Sequence, residues 1–410
     1  MPLLQRLLLM AAILSAAQGF VRVPVGMLLH VSRNLLSVPQ RAYGAASCSR
    51  VLRTQSSTPP LRRLAMGAGA GEIAAREPRV GPTAAQSSGE TSTWPNYYCA
   101  PDLERNGRDE LMLPGAMSAA LSAADSRFVL VWQGKNLFNA LDGGEYAARF
   151  LSPAQAELFT ADPNAIVIFL GKLEGSWVFG LDVSHLDQVP QSVLEGSVLE
   201  QLRSVGGLIT RDHDAGLLAS ARGMSVWHRA TKFCSKCGSG DMKPVKVGTS
   251  RACGNCGARD FPRTDPSVIV AVQSHERTHL LMGRKAVWPE GRYSTLAGFS
   301  EMGESLEECV LREVLEESGV RVARESVFFS SSQPWPFPRS LMIGFQATAE
   351  QASDFELPCI KVQEDEMEDV RWFTREQVRA AIQGKGDISI PGRASLAYSL
   401  ITEWSEAPEA

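Results

Sequence analysis

Long apolar runs, and acidic residues near the N-terminus, are the clearest absences in this chain of 410 residues. No uninterrupted apolar stretch reaches the roughly 18 residues that a bilayer requires, so the sequence predicts no membrane-spanning helix. Residues 1–70 contain eight arginines but no lysine, aspartate or glutamate. The rest of the chain has 33 basic and 45 acidic residues, a formal net charge of −12. This net negative charge disfavours the binding of long nucleic acids through a broad basic surface. It suits a protein whose carboxylates bind cations.

The overall composition is that of a globular protein of more than one domain. Apolar residues make up 44% of the chain and charged residues 21%, which excludes disorder throughout. At roughly 100–200 residues per domain, the length allows two to four domains and excludes a peptide hormone or a disulfide miniprotein.

The first 70 residues have the composition of a targeting leader. Arg6 precedes a short apolar stretch and a run of small residues, the pattern of a signal peptide. The acid-free, Arg- and Ser-rich segment that follows is typical of a transit peptide, and the combination resembles bipartite plastid leaders. We expect import into an organelle, with a plastid favoured over a mitochondrion or simple secretion. Residues 71–94, rich in Gly, Ala, Ser, Pro and Thr, are predicted to be a linker.

Residues 95–230 show mixed helix and strand patterns and no catalytic constellation. Short apolar runs predict strands at 128–132, 165–169 and 176–181, and helical periodicity predicts helices at 154–160, 194–205 and 217–230. The sequence therefore predicts an α+β scaffold domain here.

Four cysteines form the first strong motif of the chain. Two C-x-x-C knuckles are separated by 15 residues, and each is followed by a glycine that permits a tight turn. Disulfides or a redox pair are the alternatives, but neither an oxidising compartment nor a thioredoxin-like context is evident. The spacing predicts a closed, structural zinc ribbon held by Cys234, Cys237, Cys253 and Cys256.

A helix rich in glutamate follows two predicted strands, at 267–272 and 279–282. Ser305 and Glu308 form a predicted capping box, and Gly319 a predicted helix end. Within this helix, Glu313, Glu316 and Glu317 are spaced to share one face. Carboxylates so close repel unless a cation lies among them, which favours Mg²⁺ or Mn²⁺, although a solvated acidic face is the ordinary alternative. Arg312 is spaced to pair with Glu304 and brace the preceding loop.

The run from Gly298 to Val320 resembles the Nudix box, G-x5-E-x7-R-E-U-x-E-E-x-G-U with U aliphatic, at every defined position. A complete match over 23 residues is highly specific. The resemblance implies an α/β fold, the Nudix α/β/α sandwich around a mixed sheet, and hydrolysis of a nucleoside diphosphate linked to another moiety.

A second motif, Ser-Gln-Pro-Trp-Pro-Phe-Pro-Arg-Ser, occupies residues 332–340. Its alternating prolines predict a stiff, extended segment that can line a pocket or form a rigid surface loop. It resembles the SQPWPFPxS signature of the NADH pyrophosphatase branch of Nudix hydrolases, whose other hallmark is a zinc ribbon upstream. We therefore expect an N-terminal NADH-pyrophosphatase-like domain at 95–230, a zinc ribbon at 231–262 and a Nudix domain at 263–405.

The resemblance also implies roles for individual residues. Glu313, Glu317, Glu366 and the carbonyl of Ala297 match ligands of the catalytic Mg²⁺ or Mn²⁺, and Glu316 or Glu366 is the expected general base. The four cysteines match ligands of the structural Zn²⁺. At position 261 other members often have Tyr, so a hydroxyl contact is absent here. Positions that match contacts to the dinucleotide are Phe261, Phe299, Gln333, Pro334, Trp335, Pro336, Phe337, Pro338, Arg339, Ser340 and Ala397.

The resemblance predicts hydrolysis of NADH or NAD⁺ to nicotinamide mononucleotide and AMP by a homodimeric enzyme. One alternative is removal of NAD caps from RNA by the same cut, with a 5′ end guided by lysines at 232, 236, 243 and 246. Another is hydrolysis of ADP-ribose or an oxidised nucleotide. From a different class, the chain could be a zinc-ribbon binding module with an inactive Nudix domain, which the complete set of box carboxylates disfavours.

Overall fold

The computed structural model of the protein describes residues 97–352 and 356–408. The predicted leader (1–70) and linker (71–94) lie outside the described residues, so both assignments stay predictions. Within the described ranges, every helix is too short or too polar to cross a membrane.

The N-terminal part is built on a mixed sheet in the order β3-β2-β1-β5-β4, with β6 paired to β2. Strands β1 and β5 are parallel, and the other pairs are antiparallel. The three strands predicted from apolar runs are present. The elements are α1 (Arg108–Leu111), α2 (Ala116–Ser122), β1 (Arg127–Trp132), β2 (Lys135–Ala140), β3 (Tyr146–Ala148), α3 (Pro153–Thr160), β4 (Ile166–Leu173), β5 (Ser176–Asp182), α4 (Gln191–Leu194), β6 (Val198–Glu200), α5 (Leu202–Val205) and α6 (Asp212–Ala230).

The prediction of a helix over residues 194–205 is wrong. The segment consists instead of the end of α4, the short strand β6 and the single-turn helix α5. Gly196 has a φ of 71°, a left-handed conformation that ends the helical path and that glycine adopts without strain. Pairing of β6 with the edge of β2 then outweighs the local helical pattern.

The ribbon segment forms a three-stranded sheet of β7 (Met242–Val245), β8 (Ser250–Cys253) and β9 (Arg259–Asp260). The tip of its first hairpin is fastened to the N-terminal part. The carbonyl of Val247 accepts a hydrogen bond from the Phe169 amide of β4 (2.8 Å), and Nε2 of His228 lies 2.7 Å from the Gly248 carbonyl. Burial lowers the pKa of His228 to about 4, so this ring is neutral at physiological pH.

The C-terminal part is an α/β/α sandwich, as the resemblance to the Nudix family implies. Its mixed sheet has the order β13-β14-β10-β11-β15, with β12 also paired to β10. Helix α7 packs on one face, and α8 and α9 pack on the other. Only β10 and β14 in this sheet's described pairs are parallel. The elements are β10 (Asp265–Gln273), β11 (His279–Arg284), β12 (Leu296–Phe299), α7 (Leu306–Ser318), β13 (Phe328–Trp335), β14 (Ser340–Thr348), β15 (Asp369–Thr374), α8 (Arg375–Ile382) and α9 (Leu396–Glu406).

The two large sheets share one arrangement. In each, a central parallel pair is flanked on both sides by antiparallel hairpins, with β1 and β5 in the first sheet corresponding to β10 and β14 in the second. The corresponding helices differ in chemistry, since α3 has one glutamate, Glu157, where α7 has five. The carboxylate cluster therefore belongs to the second sheet alone.

Candidate active site

Helix α7 carries the clustered glutamates and begins and ends where its sequence predicts. Ser305 accepts a hydrogen bond from the amide of Glu308, whose side chain accepts from the Ser305 amide, so the capping box is formed. Gly319 ends the helix at a φ of 70°. Cys309, Val310 and Val314 bury one stripe of the helix against the sheet.

Glu313 lies against the backbone of Gly298, the first residue of the box. A Cβ atom at position 298 would overlap the Glu313 carboxylate, so only glycine allows this approach. Glu313 is buried, and that burial raises the pKa of its carboxyl group. The box glycine therefore permits a carboxylate to sit directly behind strand β12.

Glu317 is the most deeply buried carboxylate of the cluster, with 1% of its surface exposed. Its Oε1 lies 3.8 Å from Nζ of Lys285, while its Oε2 is buried without a hydrogen-bond partner among the described residues. Burial raises the pKa of Glu317 to about 7, against the lowering effects of Lys285 and of a backbone hydrogen bond from Ala297. An unpartnered buried carboxylate oxygen is costly unless a cation binds it.

Arg312 braces the loop of the box as the sequence predicts, and it also contacts two glutamates of the cluster. Its Nε donates to Glu304 (2.7 Å) and its Nη2 to the Phe299 carbonyl (2.9 Å). The hydrogen bonds from Arg312 to the Glu304 carboxylate are the main cause that lowers the pKa of Glu304 to about 2. Nη1 binds both Glu313 (2.9 Å) and Glu316 (3.0 Å), and the Glu316 side chain is half exposed. Arg312 therefore pairs with Glu316, one turn later on the helix, as well as with Glu313, and Glu316 is the more exposed of these two carboxylates.

Glu366 approaches the two buried glutamates from outside the box. Its turn is tethered to α7, since the amide of Gln363 donates to the Glu317 carbonyl (3.4 Å). Glu366 is exposed, and its charge raises the pKa of both Glu313 and Glu317. The set of hard oxygen donors and the unpartnered Oε2 of Glu317 fit a divalent cation.

The four ribbon cysteines are the only group of three or more potential ligands, among the described residues, whose donor atoms lie within 4.8 Å of one another. The Sγ atoms of Cys234 and Cys256 are 3.7 Å apart, and those of Cys237 and Cys253 are 3.6 Å apart. A tetrahedron with Zn–S bonds of about 2.3 Å separates sulfurs by about 3.8 Å, whereas a disulfide requires about 2.05 Å. The cluster is therefore compatible with zinc, and these contacts are not disulfide bonds.

Loss of one sulfur ligand should release zinc and weaken the ribbon. We expect Cys253→Ser to lower the zinc content of the purified protein from about one equivalent to near zero. The free energy of unfolding should fall by roughly several kcal/mol, because bound zinc stabilises only the folded ribbon. Atomic absorption and thermal unfolding measure the two effects. Cys359→Ser, at an exposed cysteine outside the cluster, is the matched control and should change neither. Full zinc content in Cys253→Ser would contradict the assignment.

The proline-rich motif is a hairpin rather than the extended segment that its prolines predict. Trp335 ends β13 and pairs with Ser340 of β14, so residues 336–339 form a tight turn. The long strand pairing on either side imposes this reversal, which the prolines tolerate because they lie at the strand end and in the turn. The rigid element predicted here is therefore a turn that projects from the sheet.

The N-terminal part holds this turn in place. Tyr98 packs edge-on against both Trp335 and Phe337, with ring centroids 6.0 and 5.6 Å apart. Arg222 of α6 donates to the Pro336 carbonyl and lies 4.9 Å from the centre of the Phe337 ring. The N-terminal part thus positions a motif of the C-terminal part. The sequence of the N-terminal part does not indicate this role.

Gln333 is one of the positions that the resemblance matches to a substrate contact. In this structure its side chain forms hydrogen bonds within the protein. Its Nε2 donates to the carbonyls of Tyr97 (3.2 Å) and Ala394 (3.0 Å), and its Oε1 accepts from the Leu396 amide (2.8 Å). The side chain is buried, so these bonds satisfy its amide group. In this geometry Gln333 joins the N-terminal part, the hairpin and the start of α9.

The remaining residues matched to substrate contacts fall around two cavities that meet at Trp335. One cavity is also lined by Gln333 and Ala397. The other is lined by Phe261 and by Pro334, Pro336, Arg339 and Ser340. Phe299 lines neither cavity and is 57% exposed, and Phe337 and Pro338 lie in the turn. The structure therefore does not bring all the matched residues into one pocket.

Three arginines and a lysine near these sites were missed by sequence reasoning. Lys285 lies beside Glu317, while Arg203, Arg292 and Arg393 line the cavity shared with Ala397. Their spacing in the chain follows no motif, because they come from separate loops and from two domains.

Comparisons with known proteins agree with this architecture. The chain matches the NUDIX domain model over residues 263–390, and the NADH pyrophosphatase-like rudimentary NUDIX domain model over residues 125–227. It is 36% identical over 267 residues to the NAD-capped RNA hydrolase NudC of Mycobacterium bovis, covering 63% of this chain and 80% of that protein. It is 38% identical over 252 residues to the NAD-capped RNA hydrolase of Schizosaccharomyces pombe, covering 55% of this chain and 64% of that protein.

Among solved structures, a Nudix hydrolase from Nitrosomonas europaea aligns with 43% of this chain and 90% of its own, at 22% identity and a TM-score of 0.33. The family assignment rests instead on the domain models and on the identity to the mycobacterial protein over most of its length. The chain therefore belongs to the Nudix hydrolase family, in the branch that joins an NADH pyrophosphatase-like domain to a Nudix domain.

Proposed function

We propose that this protein hydrolyses the pyrophosphate bond of NADH or NAD⁺, giving nicotinamide mononucleotide, reduced or oxidised, and AMP. The observation that carries the proposal is the buried, unpartnered carboxylate oxygen of Glu317. Ala297, whose backbone hydrogen-bonds Glu317, pairs across the strands with Ile269, and Ile269 lines a cavity of about 760 Å³.

Different side chains of the protein would have different roles in the reaction. Glu313, Glu317 and Glu366 would hold Mg²⁺ or Mn²⁺, which when bound neutralises the diphosphate and lowers the pKa of an attacking water. Trp335 and Trp288 offer aromatic faces to the bases of the dinucleotide. We favour Glu366 over Glu316 as the base that accepts the proton of the water, because Arg312 already binds Glu316.

The test is a product analysis with the full chain. We expect NADH and NAD⁺, each offered with Mg²⁺ or Mn²⁺, to yield the mononucleotide and AMP in equal amounts by mass spectrometry. ADP-ribose should react more slowly, since it lacks the nicotinamide ring. Faster cleavage of ADP-ribose, or no cleavage of either dinucleotide by folded protein, would overturn the proposal.

Removal of NAD caps from RNA is a second proposed activity of the same site. It is supported by the identity to two proteins named NAD-capped RNA hydrolase, and the cut is chemically the same. The lysines at 232, 236, 243 and 246 are all exposed, although Lys243 lies 3.3 Å from Asp241. A capped RNA included in the same assay compares the two activities directly.

We further propose that the ribbon cysteines bind zinc and that the chain forms a homodimer. The spacing of the sulfur atoms supports zinc, and the family resemblance supports the dimer. Import into an organelle, a plastid in preference to a mitochondrion, is supported by the composition of residues 1–70.

A further inference from the structure

The two buried glutamates of the carboxylate cluster each have one basic partner. Nη1 of Arg312 lies 2.9 Å from Oε1 of Glu313. Nζ of Lys285 lies 3.8 Å from Oε1 of Glu317. Among the ion pairs of the described residues, this is the only one that Glu317 forms. Both basic groups therefore contribute to the charge that a cation meets at this site.

The two basic partners differ in how firmly they are held. Arg312 is fixed by further hydrogen bonds, of 2.7 Å to Glu304 and of 2.9 Å to the Phe299 carbonyl. The ammonium of Lys285, at 3.8 Å, lies beyond the roughly 2.7–3.2 Å of an N–H···O hydrogen bond. Its side chain is 39% exposed, whereas that of Glu317 is 1% exposed. Because lysine carries its charge on a flexible four-carbon stem, this ammonium can move away from the carboxylate.

The backbone that carries Lys285 is held on both sides. Lys285 directly follows β11, and its carbonyl accepts a hydrogen bond from the Trp288 amide (2.9 Å). The preceding residue, Arg284, forms an ion pair with Glu368 and accepts a hydrogen bond from the Glu368 amide (2.9 Å). Nη2 of Arg284 also donates to the carbonyls of Trp288 and Pro289, at 3.2 Å each. The fold therefore fixes where the lysine stem begins, and only the side chain is free to move.

The two oxygens of the Glu317 carboxylate have different neighbours. Oε1 faces the ammonium of Lys285, and Oε2 has no hydrogen-bond partner among the described residues. A divalent cation bound to Oε2 would share this one carboxylate with the ammonium. Positive charges so close repel, and a buried site screens the repulsion less than the surface does. The cation and the ammonium therefore compete for the charge of Glu317.

We propose that Lys285 is the resident counter-ion of Glu317 and opposes binding of the divalent cation, so that it sets the cation concentration at which the site fills. The inference rests on the proposed function for the identity of the metal site. Lys285 is then a positioning residue that acts through Glu317, and it is neither a metal ligand nor a contact to the dinucleotide. When the cation binds, the ammonium moves toward the solvent, to which its side chain is already partly exposed.

The first test measures Mn²⁺ binding to the full chain without any nucleotide, by the electron paramagnetic resonance signal of free Mn²⁺. Lys285→Gln should bind Mn²⁺ about tenfold more tightly than the wild type, because a repelling charge is removed. Lys285→Arg keeps the charge and should bind no more tightly than the wild type. Lys385→Gln, at an exposed lysine of the same part of the chain, is the matched control and should change nothing. Unchanged or weaker Mn²⁺ binding by folded Lys285→Gln, or tighter binding by Lys285→Arg, would overturn the proposal.

A kinetic measurement distinguishes this role from a structural one. In NADH turnover, Lys285→Gln should reach its half-maximal rate at a Mg²⁺ concentration about tenfold lower than the wild type requires. A merely structural role would lower kcat and the melting temperature and leave the Mg²⁺ requirement where it is. A higher KM for NADH with an unchanged Mg²⁺ requirement would assign Lys285 to the substrate and contradict the proposal.

The binding measurement also separates this inference from the proposed function, since it needs no substrate. Tighter Mn²⁺ binding by Lys285→Gln, in a protein that cleaves neither NADH nor NAD⁺, would refute the proposed function alone. Equal Mn²⁺ affinity of the wild type and Lys285→Gln, in a protein that cleaves NADH, would refute the role of Lys285 alone.

Discussion

Glu317→Gln should lower kcat for NADH hydrolysis by about a thousandfold while leaving the fold intact. The substitution keeps the shape of the side chain and removes the negative charge that faces the cation site. Because Oε2 of Glu317 has no hydrogen-bond partner among the described residues, replacing the carboxylate breaks no hydrogen bond of that atom. Turnover under saturating Mg²⁺ or Mn²⁺, together with circular dichroism and the melting temperature, measures the effect.

Glu307→Gln is the matched control for this variant. Glu307 lies in the first turn of the same helix, and its side chain is exposed. It should retain wild-type turnover, since a neutral substitution on the solvent side changes stability by only about 0.5 kcal/mol. Wild-type activity in Glu317→Gln would refute the role of this cluster in the reaction.

Gly298→Ala should lower kcat by about a hundredfold, because the new methyl group displaces Glu313 by a distance on the order of 1 Å. The Cβ atom would overlap the Glu313 carboxylate, which Arg312 and the helix backbone hold in place. The accompanying loss of stability should be about 1–3 kcal/mol, as for other overpacked sites. Steady-state kinetics and chemical denaturation separate the two effects.

Gly240→Ala is the control for the glycine substitution. A Cβ atom there meets only the ring of Phe233, at ordinary contact distances of 3.6 and 3.8 Å, so activity and stability should both persist. If Gly298→Ala folds and turns over like the wild type, the close approach of Glu313 to strand β12 does not matter for the chemistry.

Local sequence predicts those parts of the protein whose geometry is set within a few residues. The capping box of α7 and its left-handed end at Gly319 form as predicted, because each depends on neighbouring backbone groups. The cysteine knuckles form for the same reason, since Gly238 and Gly257 donate to the carbonyls of the first cysteine of each pair. Apolar runs also locate the buried strands correctly.

Local patterns fail where pairing with a distant strand competes with them. Residues 194–205 have helical periodicity, yet β6 pairs with β2, some 60 residues earlier in the chain. Residues 336–339 turn sharply because β13 and β14 are hydrogen-bonded on both sides. Arg312 contacts Glu313 and Glu316 in addition to its predicted partner Glu304.

The sequence by itself determined the family, the carboxylate helix and the cysteine ribbon, since each is encoded in a contiguous motif with fixed spacing. Tertiary structure alone decided how the N-terminal part takes part in the site. Gln333 bonds to Tyr97 across 236 residues, and Arg222 bonds to Pro336 across 114. The cavity lined by Ala397 likewise has Arg203, Arg292 and Arg393 in its wall. Contacts at such separations arise when two domains bury a shared core, and no local pattern of residues records which side chains will meet there.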